Sequence, residues 1–258
     1  MSSVSDQKIL ELKRVSFSYS KQPPLIKGLS FSVGQGEFIG LLGANGSGKS
    51  TILKLGSGLL RPAGGTVMLW SKPLHAYNNK DRAKLISYLP QTLDMAVPFT
   101  VRELVSMGLY PYDIPTTMTV DSALEMVGLQ EKASAHLTDL SGGEKRRTFI
   151  AMTLVQGAGL LMLDEPLANL DIKYQIELIR LLRKLREESN ISIIMALHDI
   201  NIALQFSKVM LVKSGAILGI GRPEEILTDE LAQRAFDVPV SIIRQPDGSS
   251  FIRYGENI

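Results

Sequence analysis

The octapeptide GANGSGKS, Gly43 to Ser50, fits the pattern G-x-x-x-x-G-K-[ST] in full. Its glycines Gly43, Gly46 and Gly48 let successive backbone N–H groups converge on phosphate oxygens. Lys49 is placed to reach the β and γ phosphates of a nucleotide, and Ser50 to ligate Mg²⁺ at the positive end of a following helix. Asn45, Ser47 and Thr51 complete the candidate ATP contacts. A second stretch, LLMLDEP at 160–166, ends a buried apolar run in two carboxylates. Asp164 can hold Mg²⁺ through water, while Glu165 projects differently and can orient and deprotonate an attacking water. A third, LSGGE at Leu140 to Glu144, fits S-x-x-E and so reads as a capping box formed by Ser141 and Glu144. With Gly142 and Gly143 it also presents bare N–H groups at a positive dipole end, a second phosphate cradle. One nucleotide needs one cradle, so two invite an arrangement in which each subunit's LSGGE closes on the nucleotide held by the other.

These residues need strands and helices to place them. The run EFIGLL before the loop reads as a buried strand, and STILKLGSGLL after it as a helix using Ile52, Leu53, Leu55, Leu59 and Leu60, closed by RPAGG. The opening, ILELKRVSFSY and LSFSV, is β-rich. From about Thr92 to Val155 the segments VRELVSMG, VDSALEMVGL and GGEKRRTFIAMTLV read as helices, which predicts a helical subdomain at 92–155 inserted into a core of 1–91 and 156–258. The strand GLLMLDEP, the amphipathic helix IELIRLLRKLREE with Ile176, Ile179, Leu182 and Leu185 on one face, and the strand ISIIMALHD then alternate. That alternation predicts a parallel α/β sheet with its ligand at the carboxyl ends of the strands. KVMLVKSGAILGIG reads as a hairpin about Lys213, Ser214 and Gly215, followed by a short helical stretch and a polar β-like tail.

Composition narrows the classes of function. The 258 residues are enough for a large core, and the formal net charge of +2, with basic residues spread along the chain, gives no nucleic-acid footprint. There is no cysteine, which excludes disulfides, thiolate nucleophiles and cysteine metal sites and permits a reducing compartment. The start, MSSVSDQKILELKR, lacks the apolar core of a signal peptide. The longest apolar stretches, such as Ile191 to Leu197, fall far short of the roughly 18 to 20 residues that span a bilayer, so any membrane role is expected to be peripheral.

LSGGE placed between a phosphate loop and LLMLDEP resembles the nucleotide-binding subunit of ATP-binding cassette (ABC) transporters over nearly the whole chain. The resemblance implies a phosphate-loop NTPase, RecA-like core with a parallel sheet, an N-terminal antiparallel β subdomain and an inserted helical subdomain. It assigns Tyr19, in SFSY, to stacking on adenine. Gln91, in YLPQ, is assigned to sensing Mg²⁺ and the γ-phosphate and linking them to the helical subdomain. Asp171, in LANLD, is assigned to the dimer interface, and His198, in ALHD, to contact with the γ-phosphate. Lys49, Gln91, Glu165 and His198 are then the catalytic set, Ser50, Gln91 and Asp164 the Mg²⁺ set, and Ser141, Gly142, Gly143, Glu144 and Asp171 the contacts across a homodimer. One position departs from the family: a Gln-Arg pair often follows the signature, whereas here Arg146 stands where the glutamine belongs.

The segment VPFTVRELVSMGLYPY, Val97 to Tyr112, and the tail Gly221 to Gly248 resemble the ATPases of iron-siderophore, haem and cobalamin importers. A cassette on its own chain, without a transmembrane segment, is also usual for importers. The resemblance thus implies an ATPase that clamps two ATP molecules between two copies, drives polytopic transmembrane permease subunits from the cytoplasmic face, and works with an external substrate-binding protein. The rival readings are a soluble relative acting on DNA or ribosomes, or an ABC transporter subunit for another substrate. DNA-organising relatives need a long coiled coil, but only about 120 residues without sustained heptads separate Gly43 from Asp164. Ribosome-acting relatives carry two cassettes per chain, and here there is one set of motifs. A phosphate-loop kinase is a further rival, for which LSGGE has no job.

Overall fold

The computed structural model describes residues 7–20, 23–93, 98–113, 118–245 and 250–255. Val97, the first residue of the importer-like segment, and Pro246 to Gly248, the end of the importer-like tail, lie outside them. The chain divides into two compact units: one combines Met1–Leu74 with Ile194–Ile258, and the other is the continuous stretch His75–Ile193. The expected helical segment, 92–155, falls inside the second unit.

In chain order, strands β1 (Lys8–Phe17), β2 (Ile26–Gly34) and β3 (Phe38–Leu42) precede helix α1 (Lys49–Ser57) and strands β4 (Gly64–Leu69) and β5 (Lys72–Pro73). Then come α2 (Asn79–Ala83), β6 (Ile86–Leu89), α3 (Val101–Ser106), α4 (Val120–Met126), α5 (Gly142–Val155), β7 (Leu160–Asp164) and α6 (Ile172–Ser189). Strand β8 (Ser192–Leu197) carries the chain back to the first unit, where α7 (Ile200–Ala203), β9 (Lys208–Lys213), β10 (Ala216–Gly221), α8 (Pro223–Ile226), α9 (Asp229–Phe236), β11 (Val240–Arg244) and β12 (Ser250–Tyr254) follow.

The first unit holds an antiparallel sheet in the order β2-β1-β4-β5 and the strands β10-β9-β3-β8. β1 alternates only in part: Ile9, Leu10, Leu12, Val15 and Phe17 are buried while Lys8, Lys13 and Arg14 meet solvent, and its pairing with β2 shifts register between Lys8 and Leu10, Leu12 and Val15, and Val15 and Phe17. All five residues of β3 are buried, and β3 pairs in parallel with β9, Leu41 opposite Met210. β9 turns into antiparallel β10 through Ser214 and Gly215, both at positive φ (47° and 74°), which is the backbone that two-residue hairpins require. α1 ends earlier than its apolar pattern suggests. Gly58 adopts a left-handed cap (φ 77°), its N–H bonding to Leu55 O and that of Leu59 to Lys54 O, so Leu59 leaves the helix and is exposed.

In the second unit β6 and β7 pair in parallel, Tyr88 opposite Met162. Periodicity does not single out β6, a four-residue strand stopped by Pro90. α6 buries Leu178, Ile179, Leu182 and Leu185, each worth about 1.5–3 kcal/mol by removal from water. Ile176, expected on that face, is instead 46% exposed, one turn after Ile172, which is 75% exposed. Among the described residues no helix is long and apolar enough to cross a membrane.

Candidate active site

The strand–loop–helix unit around GANGSGKS is built within the first unit. Gly43 has to be glycine because a Cβ there would lie 2.2 Å from Val212 O, and Gly48 because it caps α1 at φ 106°. The loop is fixed to the β9–β10 turn by the Gly215 N–H, which donates to Ser47 O at 2.7 Å. Lys49 is buried, 4% exposed, and its ammonium donates to Gly43 O (2.7 Å) and Ala44 O (3.1 Å), which holds the cation inside the curve of its own loop. Ser47 Oγ is buried and has no hydrogen-bond partner among the described residues. A phosphate oxygen fits that orphan hydroxyl together with the charge of Lys49. Asn45 and Gly46 at the loop's tip are exposed, and Ser50 is half-buried.

Tyr19 follows β1, is 40% exposed, and packs edge-on against Phe17 with ring centroids 4.8 Å apart. Its hydroxyl shares a 3.1 Å hydrogen bond with Thr51 Oγ1 in the first turn of α1. This tether fixes an aromatic ring beside the phosphate loop. Sequence spacing could not reveal it, since the two residues lie 32 positions apart. His198 follows β8 directly and is exposed, as is Asp199, whose carboxylate accepts from Asn201 N–H at 2.8 Å.

The second unit carries the carboxylates. Asp164 closes β7 with 1% exposure, and Tyr88 Oη donates to its Oδ2 at 3.2 Å. Glu165 is 8% exposed at φ 52°, a left-handed backbone that a glutamate adopts only when its surroundings impose it. Gln91 Nε2 donates to Glu165 Oε2 at 2.7 Å, so two residues proposed for the same γ-phosphate touch each other although 74 positions apart.

Arg146, 3% exposed, donates to the main chain on both sides of this backbone. Nη1 donates to Pro90 O (2.9 Å) and Gln91 O (2.8 Å), Nη2 to Asp164 O (2.7 Å) and Glu165 O, and Nε to Pro166 O (3.3 Å). Burial pushes its pKa down, the Asp164 and Glu165 carboxylates oppose that shift, and a guanidinium keeps its charge. The sequence marks Arg146 only as a departure from a pattern; its acceptors are not visible there. Its neighbour Arg147 donates to Val127 O (2.7 Å) and stacks on the Tyr174 ring at 4.0 Å.

LSGGE forms the capping box its spacing predicts at the start of α5. Glu144 N–H donates to Ser141 Oγ (3.3 Å), and Ser141 N–H to Glu144 Oε2 (3.0 Å). The same carboxylate pairs with Lys132, and these contacts, Lys132 foremost and the Ser141 N–H next, hold its pKa down from 4.5 to about 2. Gly142 is open, whereas a Cβ on Gly143 would sit 3.3 Å from Asn169 O. Asp171 occupies the N-cap position of α6, exposed and making no side-chain cap bond. Lys49, Tyr19 and His198 therefore belong to the first unit, and Gln91, Asp164, Glu165, Ser141 and Asp171 to the second.

Ser50 of the first unit and Gln91 and Asp164 of the second each carry a side-chain oxygen, the donor type that a hard cation such as Mg²⁺ takes. Among the described residues no three His, Cys, Asp or Glu side chains gather to hold a metal unaided.

The sequence profile of the ABC transporter family matches residues 26–168, more than half of the chain and the whole span from β2 through Glu165. The chain belongs to the ABC transporter family. It is 37% identical over 230 residues to an iron(3+)-hydroxamate import ATP-binding protein of Bacillus subtilis, covering 86% of each chain. It is 38% identical over 235 residues to a hemin import ATP-binding protein of Nitrobacter winogradskyi, covering 87% of each. Among solved structures, a chain described as a metal-chelate type ABC transporter in an inward-facing conformation superposes with a TM-score of 0.79 at 26% identity, covering 96% of both. An ATP-binding cassette solved as a dimer with ADP and Pi superposes at 0.74 and 25% identity, covering 83% of this chain and 98% of the other. The fold is accordingly the α/β phosphate-loop ATPase fold of this family, with its antiparallel β subdomain, and the activity of the family's domain is ATP hydrolysis.

Proposed function

We propose that this chain is the ATP-hydrolysing subunit of an importer for a metal chelate of the iron-siderophore, haem or cobalamin kind. The observation that carries the reading is the Gln91–Glu165 contact at the end of β7, in a chain whose relatives are named for hydroxamate, petrobactin, hemin and cobalamin import. In this reading the phosphate loop holds the β and γ phosphates through Lys49, Ser47 and the loop N–H groups, with Tyr19 against the adenine and His198 on the γ-phosphate. Ser50, Gln91 and Asp164 would hold a Mg²⁺ ion, whose charge would offset that of the phosphate oxygens. Glu165 accepts a proton from water as the water oxygen bonds to the γ-phosphorus; the bond to the bridging oxygen breaks and ADP leaves with the electron pair. The protein's contribution is positioning and charge stabilisation.

Two copies then face each other, with Ser141, Gly142, Gly143, Glu144 and Asp171 of one closing on ATP held by the other. Exposed Ile172 beside Asp171 supplies apolar surface for that contact. Residues 92–155 act as the helical signature subdomain. Met107, 41% exposed, and Tyr110, 84% exposed, offer apolar surface to a transmembrane permease subunit at the cytoplasmic face, and an external binding protein delivers the chelate. Nucleic acid is not a partner.

The test is affinity isolation of Glu165→Gln with ATP from detergent-solubilised membranes, with mass spectrometry of what is retained. The expected result is a closed homodimer bound to a stoichiometric polytopic membrane protein. Recovery of ribosomes or DNA-bound proteins with no membrane subunit would overturn the transport reading. Wild-type ATP turnover by Glu165→Gln would overturn the role given to that carboxylate.

A further inference from the structure

Arg146 stands where the family pattern places glutamine, and its contacts give it a task that a glutamine could fill only in part. A primary amide has two N–H bonds to give; the guanidinium has five in a rigid fork, and here it spans two separate segments. One is Pro90–Gln91, at the end of β6, and the other is Asp164–Glu165–Pro166, at the end of β7. Every acceptor is a main-chain carbonyl, so the fork fixes backbone and leaves the Gln91 and Glu165 side chains their own bond of 2.7 Å. The left-handed Glu165 (φ 52°) lies between two of the bonded carbonyls. The far end of α5 grips the same strand: Gln156 Nε2 donates to Ala83 O (2.5 Å) and Ile86 O (3.0 Å), while Ser87 Oγ donates to Gln156 Oε1 (2.8 Å). One helix, capped by Ser141 and Gln156, thus holds β6 at its start and just beyond its end.

We propose that Arg146 is a positioning residue for ATP hydrolysis, locking the main chain at Gln91 and Glu165 into one frame and tying that frame to the helix that starts at LSGGE. The inference rests on the reading of Glu165 as the group that receives the water's proton. Arg146 touches no reacting atom in this scheme and acts through Gln91 and Glu165. Lysine keeps the charge without the fork, and glutamine keeps part of the hydrogen bonding without the charge or the reach, so neither replaces it.

The experiment is steady-state ATP hydrolysis by the full-length chain as wild type, Arg146→Lys, Arg146→Gln, Gln91→Ala and the Arg146→Gln/Gln91→Ala double variant, with Glu165→Gln alongside. Thermal unfolding is recorded for each. Arg146→Gln installs the family's usual residue, so it keeps the test open should Arg146→Lys fail to fold. The expected result is a fall in kcat of about tenfold or more in the folded Arg146 variants, with KM for ATP within about threefold of wild type. The double variant should lie within about threefold of the lower single variant, because residues acting through one contact do not contribute independently. Wild-type kcat in the folded Arg146 variants, or a loss in the double equal to the product of the singles, overturns the proposal. If either occurs while Glu165→Gln is inactive, the carboxylate assignment stands without the clamp. If Glu165→Gln turns over normally, that assignment falls and the clamp falls with it.

Discussion

Replacing Glu144 by glutamine tests the electrostatics of the signature turn. The Glu144→Gln change keeps the length of the side chain and an oxygen for the capping box, and removes the charge that faces Lys132. A carboxyl whose pKa is drawn from 4.5 to about 2 gains at most roughly 3 kcal/mol from its surroundings. Lys132 is 48% exposed against 17% for Glu144, so water screens the pair and the expected loss at pH 7 is about 1–2 kcal/mol. For a chain of this size that is about 3–6 °C in Tm. The sign with pH follows from the direction of the shift. A depressed carboxyl stabilises the folded state fully above its unfolded pKa of 4.5, and that contribution is lost as pH falls from 4.5 towards 2. Wild type and Glu144→Gln should therefore differ in Tm at pH 7 and 6, and converge as pH is lowered through 4 towards 3. Scanning calorimetry of both proteins across this range reads the difference directly. A gap that stays constant with pH would refute an ionic origin, and no gap at pH 7 would mean that Lys132 and Glu144 do not pair in solution.

Gly43→Ala places a methyl group 2.2 Å from Val212 O, so the loop or β9 must shift; urea unfolding should show a loss of about 1–3 kcal/mol, and nucleotide affinity should drop with it. Tyr19→Phe removes the 3.1 Å bond to Thr51 and keeps the ring, so ATP affinity measured by calorimetry should weaken about two- to fivefold, and Tyr19→Ala about tenfold or more. Equal affinities for the two Tyr19 variants would assign the effect to the hydroxyl and not to stacking.

The elements legible in the sequence are those whose chemistry is local. GANGSGKS, LLMLDEP and LSGGE each announce a turn, a strand end or a cap through neighbours a few positions apart, and β3, β7 and α5 carry them. Long-range consequences are hidden. Gln91 and Glu165 are 74 positions apart, and Arg146 reaches main-chain carbonyls, whose availability depends on two strand ends that no side-chain pattern encodes. Apolar spacing also overstates burial. Ile176 satisfies the helical repeat of α6 and still lies exposed, because periodicity gives the face of a helix and not how far its cover extends. β6 escapes the pattern for a related reason: four residues are too few to show a period.

The first unit is assembled from both ends of the chain, and this gives the order of events at the ribosome. β3 emerges with all five residues apolar or glycine and destined for burial, but its parallel partner β9 begins roughly 165 residues later. At about 5–20 residues per second the strand waits on the order of ten to thirty seconds for that partner, while the continuous stretch His75–Ile193 can complete itself in the meantime. The wait extends to the nucleotide site. Val212, which packs against Gly43, and Gly215, whose N–H holds Ser47, are both translated after it. A nascent chain stopped before β9 therefore contains every residue of GANGSGKS but neither Val212 nor Gly215, the two later residues whose backbone meets the loop.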